Sequence, residues 1–521
     1  MRFVIPVALA IVAMATGAGW AQSPIAAERL FTENCAQCHG SDRLGGTAPA
    51  LIPEALERLR AAEALSVVAN GRAQTQMPGF GDRLSRPEIE ALIAYARSPL
   101  PAAPNWGLAE MMGTHLVSHT SDTLPGKPVH GADPLNLFIV VEAGDSSVTV
   151  LDGDKFEPIT RFPSRFALHG GPKFTPDGRF VYFASRDGWI TKYDLYALEV
   201  VAEIRAGINT RNIAISGDGK IVMVGNYLPH TVVLLSAEDL KPMKIIDGKD
   251  RSGKSSSRIS AVYQAQPRNS FIVALKDIPE LWEISWLAEP PPVFSGFVHS
   301  YAPGMTEGIA EKGPFPIRRI GLSEPLDDFF FDPAYRNLLG SSREGGKAVV
   351  VNLDVGRQIA EIPMTGLPHL GSGITWTRDG RTLMATPNLK EGMVSVVDMK
   401  TWKLIERIPT LGPGFFLRSH ESTPFAWVDS AFSREKDALQ VIDKETLSVV
   451  RVLRPAPGQT ASHVEFSRDG RYALVSIAEQ DGALVVIDST TFSEVKRLPM
   501  RKPSGKYNVF NKITRSEGTS H

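Results

Sequence analysis

The chain is poor in cysteine. It has 2 in 521 residues, so at most one intramolecular disulfide could form and a disulfide-built scaffold is excluded. Histidine is also scarce, at 11. The formal net charge is −1, so no whole-chain field favours nucleic acid or an anionic membrane. Only one stretch is continuously apolar, in MRFVIPVALAIVAMATGAGWAQS at the start. Arg2, the apolar run from Phe3 to about Ala15, and small Gly19 and Ala21 before a cleavage point predict a signal peptide over 1–21. The alternative is an uncleaved anchor. The expectation is an exported, periplasmic protein with no stable membrane insertion. What remains is ordinary globular composition, 43% hydrophobic and 22% charged, with 45 glycines and 38 prolines that suit many tight turns. The length allows more than one domain.

Both cysteines sit in one motif, Asn34 to Asp42, NCAQCHGSD. C-x-x-C-H is the attachment pattern for c-type haem. Cys35 and Cys38 would add across the porphyrin vinyl groups, and His39 would be held under the iron. Zinc would need further Cys or His at ligand spacing, and none is near. Downstream, TQMPGFGDRLSRPEIEALIAYARS offers Met77, stiffened by Pro78, as sixth ligand; loop packing is the alternative role. Ser85 and Pro87 open an amphipathic helix with Ile89, Leu92, Ile93 and Tyr95 on its apolar side. Helix, C-x-x-C-H, loop, Met-Pro and closing helix give a small all-α class I cytochrome c domain over 22–98, followed by a Pro-rich linker over 99–112.

Residues 113–521 read as an all-β eight-bladed propeller. Segments beginning at Pro176, Gly217, Arg378 and Arg468 repeat a D-G turn, an apolar strand, a polar turn and two more strands. The period, on the order of 40–45 residues, suits four-stranded blades, and weaker copies fill the gaps. Loops that lead into inner strands face the axial pocket. His169 in RFALHGGPKF, His369 in GLPHLGSG and His463 in TASHVEFSRDG hold such positions, with His420 in reserve. Each alone could be a structural histidine; together they favour one site.

A haem c unit ahead of an eight-bladed propeller resembles the cytochrome cd1 family, from about Cys35 to Tyr507. The stretch FALHGGPKFTPDGRFVYFASRDGWITKYDLY resembles the family segment that carries the proximal haem d1 ligand, which implies that role for His169. The resemblance also implies that Arg186 and Arg211 pair with ring carboxylates. Family nitrite reductases have two distal histidines. PHLGSG keeps one, His369, implied as distal iron ligand, whereas SEPLDDFFFDPAYRN has Asp327 or a neighbour in place of the other. A site that must donate two protons has lost a donor. GLPHLGSG, TPNLKEG and RKPSGKYNVFNK resemble the branch that finishes haem d1 synthesis. A relative from that pathway without C-x-x-C-H is set aside by the motif.

The implied reaction oxidises a propionate of dihydro-haem d1 to acrylate, with electrons passed to covalent haem c and on to an external acceptor such as a periplasmic cytochrome. Haem d1 biosynthesis or nitrite reductase proteins would be partners. His463 is implied as a base of near-neutral pKa and Tyr507 as an orienting or relaying phenol. Their alternatives are a hydrogen bond at the start of a strand and a blade-closing packing role. The competing functions are a nitrite reductase with an altered distal pocket, a non-catalytic haem d1 carrier, and a generic electron-transfer cytochrome whose propeller docks another protein.

Overall fold

A computed structural model describes residues 24–46, 48–57, 59–72, 77–297, 308–311, 313–342, 346–515 and 517–518. The expected signal peptide and His299 lie outside them. No helix among the described residues is long and apolar enough to cross a membrane.

The N-terminal unit is helical: Pro24–Asn34, Ala36–His39, Pro53–Leu56, Ala61–Asn70 and Arg86–Ala96. Phe31, Phe80, Leu84, Ile89 and Leu92 form its buried core. The last helix starts where the pattern predicts. The Ser85 backbone N–H donates to the Glu88 carboxylate at 2.7 Å, and a proline takes the first turn, where no donor is needed.

The stretch read as a linker is not featureless. It contains the start of a helix, Leu108–Gly113, whose Met111 is fully buried against the propeller. Trp106 Nε1 donates to the Arg205 carbonyl at 2.8 Å. Arg205, itself buried, reaches back to the helical unit, donating from Nη2 to the Leu44 carbonyl at 2.5 Å. Ala50 and Ile52 pack there against Ile208.

Eight antiparallel sheets of four or five strands follow, one per blade. The three inner strands of a blade are buried on both faces, as in Leu439–Asp443, whereas the outer strand Ser448–Leu453 is largely exposed. That is why the inner strands read as near-continuous apolar runs. The repeated D-G turn has a local cause. Ser216 and Ser467 donate to the carboxylates of Asp218 and Asp469, each at 2.6 Å. The glycines that follow, Gly219 and Gly470, take φ values of 71° and 72°, where a side chain would be strained.

The innermost strands start at Lys173 in the second blade, Asn209 in the third, Ile259 in the fourth, Asp328 in the fifth, Ile374 in the sixth, Leu417 in the seventh and Ala461 in the eighth. The fourth blade carries an inserted two-stranded hairpin, Phe294–Phe297 with Gly308–Ala310. The first blade takes its innermost strand from the far end of the chain. Pro503–Asn508 pairs with Leu137–Glu142, setting Ile139 opposite Tyr507 and Val140 opposite Lys506. A short helix, Val509–Thr514, then packs Val509 and Ile513 into the core between the first two blades.

This closure predicts a stability effect. Ile139→Pro removes a ladder donor in the strand that receives the last one, without touching the axial side chains. It should lower unfolding stability by about 3 kcal/mol or more, read as a shifted midpoint in urea monitored by tryptophan fluorescence. An unshifted midpoint would show that the ring does not depend on this pairing.

Candidate haem-binding and redox site

The C-x-x-C-H segment forms a tight turn. His39 N–H donates to the Cys35 carbonyl at 3.0 Å, which keeps the three residues of the motif in one turn. His39 is buried, and its Nδ1 lies 2.7 Å from the Pro49 carbonyl. That carbonyl can only accept, so the ring carries its proton on Nδ1 and turns an Nε2 lone pair outward. Burial, with Cys38 nearby, pushes the Cys35 thiol up to about 11. Met77 packs against the Phe31 and Phe80 core. Two adjacent thiols, an oriented imidazole and an apolar wall fit a covalent haem.

The propeller axis repeats the same imidazole geometry twice. His169 Nδ1 lies 2.7 Å from the Arg211 carbonyl, and His369 Nδ1 lies 2.6 Å from the Phe415 carbonyl. Both rings are therefore in the tautomer that offers Nε2 to a metal. Around His169 the two predicted arginines converge. Arg186 Nη2 donates to Nε2 at 2.8 Å, and Arg211 Nη1 lies 3.2 Å from the same nitrogen. His369 stacks on Phe415 with centroids 4.2 Å apart, and burial lowers its pKa.

His463 differs. It sits at an irregularity in the strand Ala461–Phe466, with φ of 49°, where the register shifts between Ser462 and Glu465. A bulge of this kind re-aims a side chain. The ring lies between Phe416 and Tyr507, at centroid distances of 4.3 and 5.0 Å. Its Nδ1 lies 3.5 Å from a donor, the Lys506 N–H, and its Nε2 is buried without a hydrogen-bond partner among the described residues. The near-neutral pKa expected from sequence is overturned: burial first, then the charges of Lys506, Arg418 and Lys512, hold it well below its ordinary value.

Tyr507 stands on the closing strand. Burial pushes its phenol up to about 12, and the Arg418 charge acts in the opposite sense. Glycine makes room for it: a Cβ at Gly171 would come within 3.0 Å of Tyr507 Cε1, and one at Gly505 within 2.7 Å of its hydroxyl.

Of the two carboxylates expected here, Asp327 and its neighbour Asp328, both act on Arg211. Asp327 pairs with Lys276 at 2.6 Å. Asp328 accepts from Tyr263 Oη at 2.9 Å and from the Gly371 N–H at 3.0 Å, and its charge acts on Arg211 and His369. The distal wall is held by Asp429, which accepts from the Phe415 and Phe416 N–H groups at 2.7 and 3.1 Å. Burial pushes Asp429 up to about 6. His420, the reserve candidate, is engaged by Ser422 Oγ at 2.8 Å and packs near Phe466. His115 and His130 bond to the carbonyls of Asp239 and Leu195, and His119 pairs with Glu199.

Sequence reasoning missed Tyr263, Asp328, Arg418, Asp429 and Glu465. A usable signal existed for most of them. The first strand of each repeat carries polar side chains in an otherwise apolar run: NTRNIAI, ISAVYQA, DFFF, LRS, ASHVEF and PSGKYN.

The comparisons with known proteins agree with this architecture. The cytochrome D1 heme domain family matches residues 132–297 and 309–512, and the family of cbb3-type cytochrome c oxidase subunit III matches residues 23–95. A Pseudomonas aeruginosa protein named dihydro-heme d1 dehydrogenase is 53% identical over 494 residues, 95% of each chain. The nitrite reductase of Stutzerimonas stutzeri is 22% identical over 94% of this chain and 93% of its own. A solved structure, dihydro-heme d1 dehydrogenase NirN in complex with DHE, superposes with a TM-score of 0.88 at 52% identity, covering 94% of this chain and 100% of that one. The chain belongs to the cytochrome D1 heme domain family, with a cytochrome c unit fused ahead of the propeller.

Proposed function

We infer that this protein is a dihydro-haem d1 dehydrogenase, completing haem d1 by oxidising a propionate side chain to acrylate. The full-length similarity to the Pseudomonas enzyme supports the reading. The observation that carries it is the contrast among four imidazoles. His39, His169 and His369 each have Nδ1 against a backbone carbonyl, whereas His463 has Nδ1 against a backbone N–H and lies beside Tyr507. Three rings are prepared as ligands. The fourth is prepared as a donor next to the phenol.

In this reading His169 and His369 hold the substrate's iron from its two faces, and Arg186 and Arg211 leave the imidazole to meet ring carboxylates. Cys35, Cys38 and His39 would hold the resident haem, and Met77, packed in the same helical core, would supply a further ligand atom. The chemistry converts –CH2–CH2– to –CH=CH–, releasing two protons and two electrons. When bound, haem c supplies a one-electron outlet toward an external acceptor, so two oxidising events serve each product. Tyr507, in the small fraction that has first lost its own proton to solvent, accepts a proton from the reacting side chain. A phenolate is the stronger base of the pair, and His463, with its proton on Nε2, donates a hydrogen bond to the side chain or the phenolate oxygen. The protein is exported to the periplasm by its N-terminal segment, and its acceptor is a periplasmic cytochrome or similar carrier.

Three outcomes test this. Protein carrying haem c, incubated with dihydro-haem d1 and excess oxidant, should yield a macrocycle lighter by two hydrogens in extracted-pigment mass spectra. An unchanged mass would sink the reading. Tyr507→Phe should lose about 100-fold or more in rate, while His463→Gln, which keeps a side-chain donor, should lose no more than about tenfold. The reverse order would return the base to His463. The pH dependence also has a definite sign. Below a pKa of about 12 the phenolate fraction rises tenfold per pH unit, so the rate should climb from pH 7 to 9 with no inflection near 6.5 from His463. A rate that instead plateaus above pH 7 counts against Tyr507 as acceptor.

A further inference from the structure

Arg418 lies in the innermost strand of the seventh blade, Leu417–Ser419, and is only 3% exposed. Its charge acts on Tyr507 of the first blade, Lys173 of the second, His369 at the start of the sixth and His463 of the eighth. The strand is the innermost of its blade, and Phe416 just before it packs on His463 at 4.3 Å, so Arg418 stands at the inner wall of the ring near the eighth blade. Nη1 donates to the Leu417 carbonyl at 2.7 Å, and the guanidinium carbon is 5.8 Å from the Phe416 ring centre. Nε is buried without a hydrogen-bond partner, and Arg418 forms no ion pair within 4.0 Å among the described residues. A guanidinium cannot shed its proton to relieve this, so the position calls for an anion.

The anions around it do not pair with it, although Glu465 keeps one buried oxygen, Oε2, without a hydrogen-bond partner among the described residues. Asp429 is held by the Phe415 and Phe416 N–H groups. Glu465 accepts from Asn511 Nδ2 at 3.2 Å and lies 3.9 Å from Lys512 Nζ. The neighbouring cation Lys506 donates to the His463 carbonyl and, at 2.8 Å, to Ser476 Oγ. Arg418 therefore keeps a buried donor, Nε, unmet beside the Phe416 ring that packs on His463.

The reaction has a matching need. The side chain to be desaturated ends in a carboxylate, and removing a proton from the adjacent carbon drives a second negative charge onto that group. A guanidinium fork opposes a carboxylate through two parallel hydrogen bonds and offsets charge as it develops. We propose that Arg418 binds the carboxylate of the reacting propionate and stabilises the charge that builds there as the adjacent carbon loses its proton to Tyr507. The step balances. Tyr507 first releases its own proton to solvent; one C–H proton then passes to the phenolate oxygen, and the other hydrogen leaves as a proton. The two electrons of the broken C–H bonds not used in the new carbon–carbon π bond leave by the one-electron outlet of the dehydrogenase reaction. The inference rests on that dehydrogenase reading. It makes Arg418 a catalytic and specificity-determining residue, distinct from Arg186 and Arg211 on the His169 side.

The test compares Arg418→Gln, Arg418→Lys and Arg418→Ala with the wild-type protein, each carrying haem c. Two quantities are measured: uptake of dihydro-haem d1 by visible-absorption titration, and single-turnover desaturation of the bound pigment with ferricyanide in excess. R418Q should take up the pigment within about fivefold of wild type, because His169 and His369 still hold it, yet desaturate it about 100-fold more slowly. R418K, with charge but no fork, should be about tenfold slow. Added guanidinium ion should restore part of the R418A rate and leave R418K unaffected, a response that a packing role does not produce. A single-turnover rate in R418Q within about twofold of wild type overturns the proposal. If R418Q does not fold, a wild-type rate in R418K overturns it equally. Failure of the wild-type arm to desaturate the pigment would instead refute the dehydrogenase reading, and the inference falls with it.

Discussion

The pairing of Pro503–Asn508 on Leu137–Glu142 holds the molecule together and also assembles its chemistry. A propeller without this strand would leave an open edge on the first blade, with unpaired backbone groups and an unfinished core. The same strand carries Lys506, whose N–H faces His463, and Tyr507, whose ring meets that imidazole at 5.0 Å. The helix that follows lays Lys512 and Asn511 against Glu465. Residues more than 300 positions from the first blade thus finish both the ring and the chamber at its centre. Closure and activity share a strand, and this ties catalytic geometry to global stability.

The chamber is built from the innermost strand of each blade or the residues just before it. Tyr507, Lys173, Arg211, Tyr263, Asp328, His369, Arg418 and His463 come from blades one to eight in order. Each blade pays little backbone distortion for its contribution; the visible exception is His463, at positive φ in a bulge. The environment is apolar and buried, so every charge acts strongly on its neighbours. Cations outnumber the carboxylates that face them, which suits a substrate rimmed with carboxylates. The same burial keeps His463 neutral and its phenol neighbour hard to ionise, so the two groups are driven apart in role although they touch.

The imidazoles show how far residue identity can be read without a fold. A C-x-x-C-H motif is local, and the turn that holds His39 with the two cysteines follows from adjacent residues. For His169 and His369, the neighbouring residues and the repeat suggested a common pocket. The partner that sets each tautomer lies far along the chain, at Arg211 and Phe415. Asp327 and Asp328 make the same point more sharply. They are adjacent in sequence, yet Asp327, just before the strand, pairs with Lys276, whereas Asp328, its first residue, accepts from Tyr263 and Gly371.

By itself, the sequence determined the two-part architecture, the repeating blades and the haem attachment motif, because periodicity and short spacings act within a few residues. It also narrowed the site to histidines that precede inner strands. Only the tertiary structure decided which nitrogen of His39, His169 and His369 is tied to a carbonyl, that Arg418 stands on an innermost strand with a buried donor unmet, and that burial holds the His463 pKa low. Those properties depend on backbone carbonyls, bulges and buried charges brought together from all eight blades, and a linear pattern carries no record of such long-range encounters.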